Sequence, residues 1–366
     1  MTLKIHWFLP TGGDARRLVD DGAGQANAGK QHRGSYRAAT LDYLGSVASA
    51  ADQLGYESIL TPTGSQCEDA WVSTASLLAR TENLKFMVAF RPSQLSPVLA
   101  AQMAATYQLM SGNRLVLNIV TGSADAEAHR YGDWWDKDQR YAQTGEFLEV
   151  MRRSWEGEPF DFQGEYFNVK GAAIRNVPEV PPTVYFGGSS EQAGRVAARH
   201  VDVYLTWGEP VEAVAEKIAW MRRQAVEVGR ELKFGIRFQV VARSTTDAAF
   251  EQAESLLEGV TDEMIANAQT VLRGRGSVGQ QRLLDLTGGN RDKLLIAPNL
   301  WAGISLVRGG GGTALVGSYA EIADRMEDYM AVGVDEFILG GYPHVEEAYW
   351  FAEGVMPELR KRGLLN

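Results

Sequence analysis

The sequence predicts a (β/α)8 TIM barrel, an α/β fold, with insertions at the carboxyl-terminal face of its strands. Three observations carry this expectation. Short apolar runs alternate with longer segments of helical period, eight such strand-helix units can be counted, and no shift in composition splits the 366 residues into lobes. A doubly wound open sheet normally uses fewer parallel strands and shows a break between lobes. The whole chain, 1–366, therefore reads as one domain.

Residues 4–9 make the first strand-like run. Residues 38–55 place Leu41, Leu44, Val47, Ala51 and Leu54 on one face at spacings of three and four, a helix closed by Gly55. A second strand is expected at 57–61, a helix at 69–79, a strand at 85–90, a helix at 97–110, a strand at 115–120 and a helix around 144–155. The second half offers strand 183–186 with helix 191–198, strand 203–206 with helix 211–228, and strand 233–241 with helix 248–257. A last helix, 318–331, opens on the capping box Ser318-Tyr-Ala-Glu321 and leads into strand 336–339.

Three segments exceed a bare barrel. Residues 11–37 carry glycines at 12, 13, 22, 24, 29 and 34, and 272–312 carries glycine-rich stretches around an apolar 294–300, within an insertion near 260–312. Both follow strands, where barrel loops face the active-site end, so a binding mouth and a lid are expected there. Oligomer contacts or solvated excursions are the plainer alternative. The third, near 158–170 with Phe160, Phe162, Tyr166 and Phe167, reads as an appended hairpin.

Composition narrows the function classes. The chain is 45% hydrophobic and 22% charged, with a mean hydropathy of -0.21, which fits neither a membrane-spanning nor a disordered protein. Lys and Arg number 36 against 46 Asp and Glu, a net charge of -10. Such a surface repels nucleic-acid phosphates and anionic lipid. The lone Cys67 makes no internal disulfide, and the start Met1-Thr-Leu-Lys-Ile-His-Trp7 carries no signal-peptide core, so a cytoplasmic protein is expected.

Small polar residues cluster where strands end. Gly187-Gly188 lets backbone amides approach an anion, and Ser189 and Ser190 add hydroxyls at a helix start, which suits a phosphate; a turn with an N-cap is the plain alternative. Thr121-Gly-Ser123 occupies a similar place. Gly274-Arg-Gly276-Ser-Val-Gly279 matches the dinucleotide fingerprint literally, but it follows a helical pattern and is rejected as a nicotinamide site.

Arg91, Arg237, Arg308 and His344, with Trp207 and Tyr342, recur at strand ends or lid starts. Arg237 lies within an apolar strand, so it pairs with a buried acid, the commoner outcome, or faces the barrel mouth. Arg308 precedes four glycines and is either an anion clamp or a surface charge. His6, His32, His129, His200 and His344 are scattered without a metal-binding spacing, so no zinc site is expected. Cys67 follows the second strand, as a buried inert thiol or a functional one.

Beyond these local signals, a longer series of motifs resembles the alkanesulfonate monooxygenases, two-component enzymes among the bacterial luciferase-like flavin proteins. It includes Pro62-Thr-Gly-Ser-Gln-Cys-Glu-Asp-Ala-Trp71, Tyr185-Phe-Gly-Gly-Ser-Ser190, Tyr204-Leu-Thr-Trp-Gly-Glu-Pro210, Phe234-Gly-Ile-Arg237, Pro298-Asn-Leu-Trp-Ala-Gly303, Leu306-Val-Arg-Gly-Gly310 and Gly341-Tyr-Pro-His344, in order over nearly the whole chain. The resemblance implies reduced FMN, O2 as co-substrate, an NAD(P)H-dependent FMN reductase as partner, a homodimer or higher assembly, and an organosulfonate cleaved to sulfite and an aldehyde. By the same resemblance Gly188, Ser189, Ser190 and Tyr141 hold the FMN phosphate, Asn118 and Thr121 line the flavin ring, and Arg237, Arg308, His344, Trp207, Tyr342 and Cys67 serve catalysis or the substrate.

The chain departs from the family at three places. Gly12, Gln239 and Lys137 stand where histidines are expected. Lys137 keeps a cation for phosphate. Gly12 opens volume, and Gln239 offers both a donor and an acceptor, which suits a sulfosugar such as sulfoquinovose. The alternatives are broad or short-chain alkanesulfonate specificity, or a luciferase-like enzyme acting on a sulfone, amine chelate or heterocycle. A flavin-storing barrel without activity is the non-enzymatic reading, and the presence of Arg237, Arg308 and His344 argues against it.

Overall fold

The computed structural model describes residues 3–20, 35–122, 125–274 and 277–366. Eight parallel strands, β1 (Lys4–Phe8), β2 (Ser58–Thr61), β3 (Lys85–Phe90), β4 (Leu115–Ile119), β5 (Thr183–Gly187), β6 (Val203–Trp207), β7 (Lys233–Arg243) and β8 (Glu336–Gly340), pair in sequence order. β1 then pairs with β8 and closes the barrel, His6 standing opposite Ile338. The expected (β/α)8 architecture is therefore the observed one.

Period-two alternation divides the packing. Leu60, Met87, Val116, Tyr185, Val203 and Ile338 form one buried cluster, while neighbouring residues such as Ile59, Phe86, Leu117, Val184 and Phe337 join the larger core against the helices. Among the inner polar groups, Glu336 accepts from Tyr185 and lies 3.2 Å from His6 Nε2, whose Nδ1 is 2.7 Å from Ser58.

Helix ends follow their caps. Thr40, Asp69, Ser190 and Ser318 each accept a backbone N–H from the first turn of the helix that follows, and Ser318 with Glu321 completes the expected capping box. The helix expected around 144–155 begins seven residues earlier, at Lys137–Arg153, because Asp136 and Gln139 form a second capping box. Its first turns, Lys-Asp-Gln-Arg, are polar and gave no apolar stripe. Asp125–Arg130 is a further short helix without one.

The appended hairpin is present as antiparallel Phe160–Gln163 and Asn168–Ala172. The insertion near 260–312 contains helices Asp262–Arg273 and Val278–Thr287 and two short strands, Leu295–Ala297 and Leu300–Trp301. These strands reach Ala314–Ser318, which pairs with the second half of β7, Gln239–Arg243, and so extends the sheet beyond the barrel. Of the literal dinucleotide fingerprint, Gly274 closes helix Asp262–Arg273 and Gly279 lies within Val278–Thr287, while Arg275 and Gly276 are outside the described residues. Gly22, Gly24, Gly29, Gly34, His32 and Ser123 also lie outside them. Among the described residues no helix is long and apolar enough to cross a membrane, and no three His, Cys, Asp or Glu gather as a metal site.

Candidate active site

Two cavities share the carboxyl-terminal mouth of the barrel. The first, about 310 Å³, lies over the arc from β2 to β6, and Asn118, Thr121, Lys137, Tyr141, Gly188, Ser189 and Ser190 all line it. Ser190 caps Glu191–His200, turning that helix's amino terminus toward the cavity. Gly188 is required: a Cβ there would sit 2.5 Å from the Ala193 Cβ. Tyr204 donates its hydroxyl to the Gly188 carbonyl, and Thr121 Oγ1 is 3.1 Å from Thr144 Oγ1. Burial pushes the Tyr141 phenol up, so it stays a proton donor. Small residues, hydroxyls, a lysine and a helix start thus converge as a phosphate ester needs.

The second cavity, about 500 Å³, lies over β7, β8, β1 and β2, lined by Gly12, Cys67, Arg237, Gln239, Arg308, Tyr342 and His344. Arg237 also lines the first and stands at the junction. Its guanidinium lies over the Phe8 ring at 4.4 Å, and among the described residues no carboxylate pairs with it. Burial pulls its pKa down from the ordinary arginine value, leaving it charged. The salt-bridge alternative for Arg237 is thereby excluded among the described residues. A Cβ at Gly311 would lie 3.3 Å from Arg237, so the glycine run lets backbone close over this side chain.

Arg308 is half-buried, with its guanidinium 5.2 Å from the centre of the Tyr342 ring, and is not a free surface charge. Tyr342 packs edge-on to His344 at 5.3 Å. Gln239 Oε1 and His344 Nε2 are buried without a hydrogen-bond partner. Both residues line this cavity, and unpaired buried acceptors of this kind mark places where a hydrogen-bond donor belongs. Cys67 Sγ lies 3.3 Å from the Gly64 carbonyl, and burial pushes its pKa up, so it is a neutral thiol on the cavity wall.

Two placements differ from the sequence reading. Trp207, grouped with the substrate-side residues, lines only the first cavity. It ends β6, next to the Gly187–Ser190 turn of β5, and barrel order puts that arc away from β8 and β1. Arg91 forms a buried ion pair with Glu127 at 2.7 Å and lines neither cavity.

Other residues at the site carried no sequence signal. Asp14, fully buried, holds the His344 Nδ1 at 3.0 Å across 330 positions. In the first cavity Lys217 donates to Glu209 and Thr206, both at 2.8 Å, and Glu209 also binds Arg282 of Val278–Thr287 at 2.6 Å. That contact anchors the insertion over the barrel. Gln280 accepts the Gly310 N–H at 2.8 Å and joins the glycine run to the same helix.

The luciferase-like monooxygenase family model matches residues 4–336. Among solved structures, a riboflavin lyase with modified FMN and riboflavin superposes with a TM-score of 0.81 at 20% identity, covering 100% of this chain and 93% of that one. A long-chain alkane monooxygenase gives 0.79 at 20% identity, with 100% and 93% covered. The EDTA monooxygenase of Chelativorans sp. BNC1 gives 0.76 at 20% identity, with 100% and 95% covered. At these identities the superpositions establish the shared fold. The family match over 4–336 adds the class, and the chain belongs to the luciferase-like monooxygenase family.

Proposed function

We propose that the chain is the oxygenase of a two-component, FMN-dependent system that cleaves the carbon-sulfur bond of an organosulfonate, with a sulfosugar, sulfoquinovose, as substrate. The observation that carries this reading is Arg237, a guanidinium without an acidic partner among the described residues, set where the two cavities meet. A cation so placed calls for an anion, and Arg308 supplies a second positive charge to the same cavity.

The first cavity fits FMN. Ser189, Ser190, Tyr141, Lys137 and the start of Glu191–His200 would hold its phosphate, and Asn118 and Thr121 would face its ring. Reduced FMN, when bound, supplies two electrons with which one oxygen atom of O2 enters the aldehyde and the other leaves as water, while sulfite departs. Arg237 and Arg308 hold the sulfonate oxygens and offset the charge that grows on departing sulfite. Gln239 Oε1 and His344 Nε2 accept from sugar hydroxyls, and the glycine run 309–312 with the anchored helix Val278–Thr287 keeps bulk water out. Cys67 contributes wall and a weak hydrogen bond. Reduced FMN comes from a separate NAD(P)H-dependent reductase, as the resemblance to two-component enzymes implies.

Sulfite release, with reduced FMN delivered by an added reductase, tests the reading on sulfoquinovose, octanesulfonate and methanesulfonate. Turnover fastest with sulfoquinovose, and no NADH oxidation by the isolated protein, is the expected result. A preference for an alkanesulfonate overturns the sulfosugar assignment, and absence of sulfite from every sulfonate overturns the desulfonating reading.

A further inference from the structure

His344 and Asp14 form a buried pair at the wall of the second cavity, and its hydrogen bonds leave little freedom. Asp14 Oδ2 accepts the backbone N–H of His344 at 2.7 Å and the hydroxyl of Tyr43. Its Oδ1 accepts the Ala15 N–H at 2.9 Å and faces His344 Nδ1 at 3.0 Å. Arg37 donates to the Tyr43 oxygen at 3.4 Å and to Glu346 at 2.8 Å, so the phenolic proton is directed at Asp14. Burial works to raise the Asp14 pKa, but the contacts with His344 and Tyr43 outweigh it and hold the carboxyl below its ordinary value. A carboxylate only accepts, so Nδ1 must carry the proton.

The opposite nitrogen, Nε2, is buried and has no partner. In a neutral imidazole it carries the lone pair. Arg237 of β7 and Arg308 of the insertion line the same space, with Cys67 and Tyr342 beside them.

We infer that Asp14 is the positioning residue that makes His344 a hydrogen-bond acceptor toward the second cavity, and that the cavity thereby selects an anion carrying donor groups. His344 Nε2 and Gln239 Oε1 are then two unfilled acceptors beside two cations. A hydroxylated sulfonate fills both kinds of site, whereas a plain alkanesulfonate leaves the acceptors desolvated and unpaired. The ligand class rests on the reading that this cavity takes the substrate; the proton position on His344 does not.

Long-range proton-nitrogen correlation NMR on protein labelled with 15N-histidine measures that position directly. The chain has five histidines, and the His344 signal is the one lost in His344→Gln. Near neutral pH the expected pattern is Nδ1 protonated and Nε2 bare. In Asp14→Asn the side-chain NH2 takes the Oδ1 place, where it faces one donor, the Ala15 N–H, instead of the two that converge on Oδ2, the His344 N–H and the Tyr43 hydroxyl, and its donation to Nδ1 moves the proton to Nε2. In steady-state assays of the same variant with added reductase, KM for sulfoquinovose rises about tenfold, the equivalent of one lost hydrogen bond, with a smaller change in kcat and little change for octanesulfonate. A wild-type His344 protonated at Nε2, or at both nitrogens, overturns the inference, as does an unchanged tautomer in a folded Asp14→Asn. If that variant does not fold, the wild-type spectrum decides. If no sulfonate yields sulfite, the proposed function fails while the NMR result still judges Asp14.

Discussion

Arg308 shows how much of the site depends on single side chains. It reaches the second cavity from the edge of a glycine run and packs over Tyr342. A charge-assisted contact to a sulfonate contributes about 1.5 to 3 kcal/mol. Arg308→Ala should therefore lower sulfite release on the order of 10- to 100-fold at unchanged melting temperature, and Arg308→Lys should recover only part, because a point charge lacks the bidentate fork. Normal turnover in the alanine variant would make Arg308 a structural cation. At Gly12 a Cβ would meet only the Gln66 carbonyl at 3.4 Å and the Cys67 Cβ at 3.9 Å, so a larger side chain is accommodated. Gly12→His with Gln239→His should fill the cavity, remove one acceptor and shift the sulfite-release preference toward alkanesulfonates. A double variant with wild-type preference would show that neither position sets specificity. Cys67, a protonated thiol against the Gly64 carbonyl, should react with iodoacetamide far more slowly at neutral pH than free cysteine.

Among the elements, Glu191–His200 carries the clearest link from local sequence to chemistry. Ser190 caps it and Gly188 clears its first turn, so the residues that satisfy the helix also shape the first cavity. Gly188→Ala places a methyl against Ala193 and should both lower the melting temperature and weaken FMN binding several-fold, followed by flavin fluorescence quenching. Unaltered FMN affinity would separate this turn from the phosphate. Lys137–Arg153 illustrates the opposite case. Its second half shows the expected periodicity, yet the part bearing Lys137 and Tyr141 opens on polar residues, and only the capping pair Asp136 and Gln139 marks where it begins.

Across the whole molecule, buried titratable groups set the response to acid. Burial, with help from Arg152, Arg199 and Arg230, holds His200 at about 4. Burial alone would raise Glu336, but His6, Tyr185 and Lys4 bring it down to about 2. Both groups bind protons more readily when unfolded. Stability therefore falls as the pH drops from about 6.5 to 4 through His200, and further from about 4.5 to 2 through Glu336. Urea midpoints measured at pH 7, 5 and 4 should decline, and His200→Gln should flatten the upper part of that decline. A midpoint that rises on acidification to pH 4 would contradict both assignments.

Hydropathic period, caps and turn residues were sufficient to read the closed barrel, the hairpin and most helix limits, because each depends on neighbours within a few positions. The same local rules placed Gly187–Ser190 at a helix start and Arg237 within a strand. Whether Arg237 meets an acid or a cavity was not written in Phe234-Gly-Ile-Arg237, since every group that answers it comes from another strand or from the insertion. Barrel closure assigned Trp207 to the arc of β2–β6 and Gln239 and His344 to the arc of β7–β2, so their separation follows strand order around a circle rather than distance along the chain. Asp14 meets His344 only because β1 and β8 are neighbours at the seam of the barrel, and long-range closure of that kind leaves no periodic trace in a single sequence.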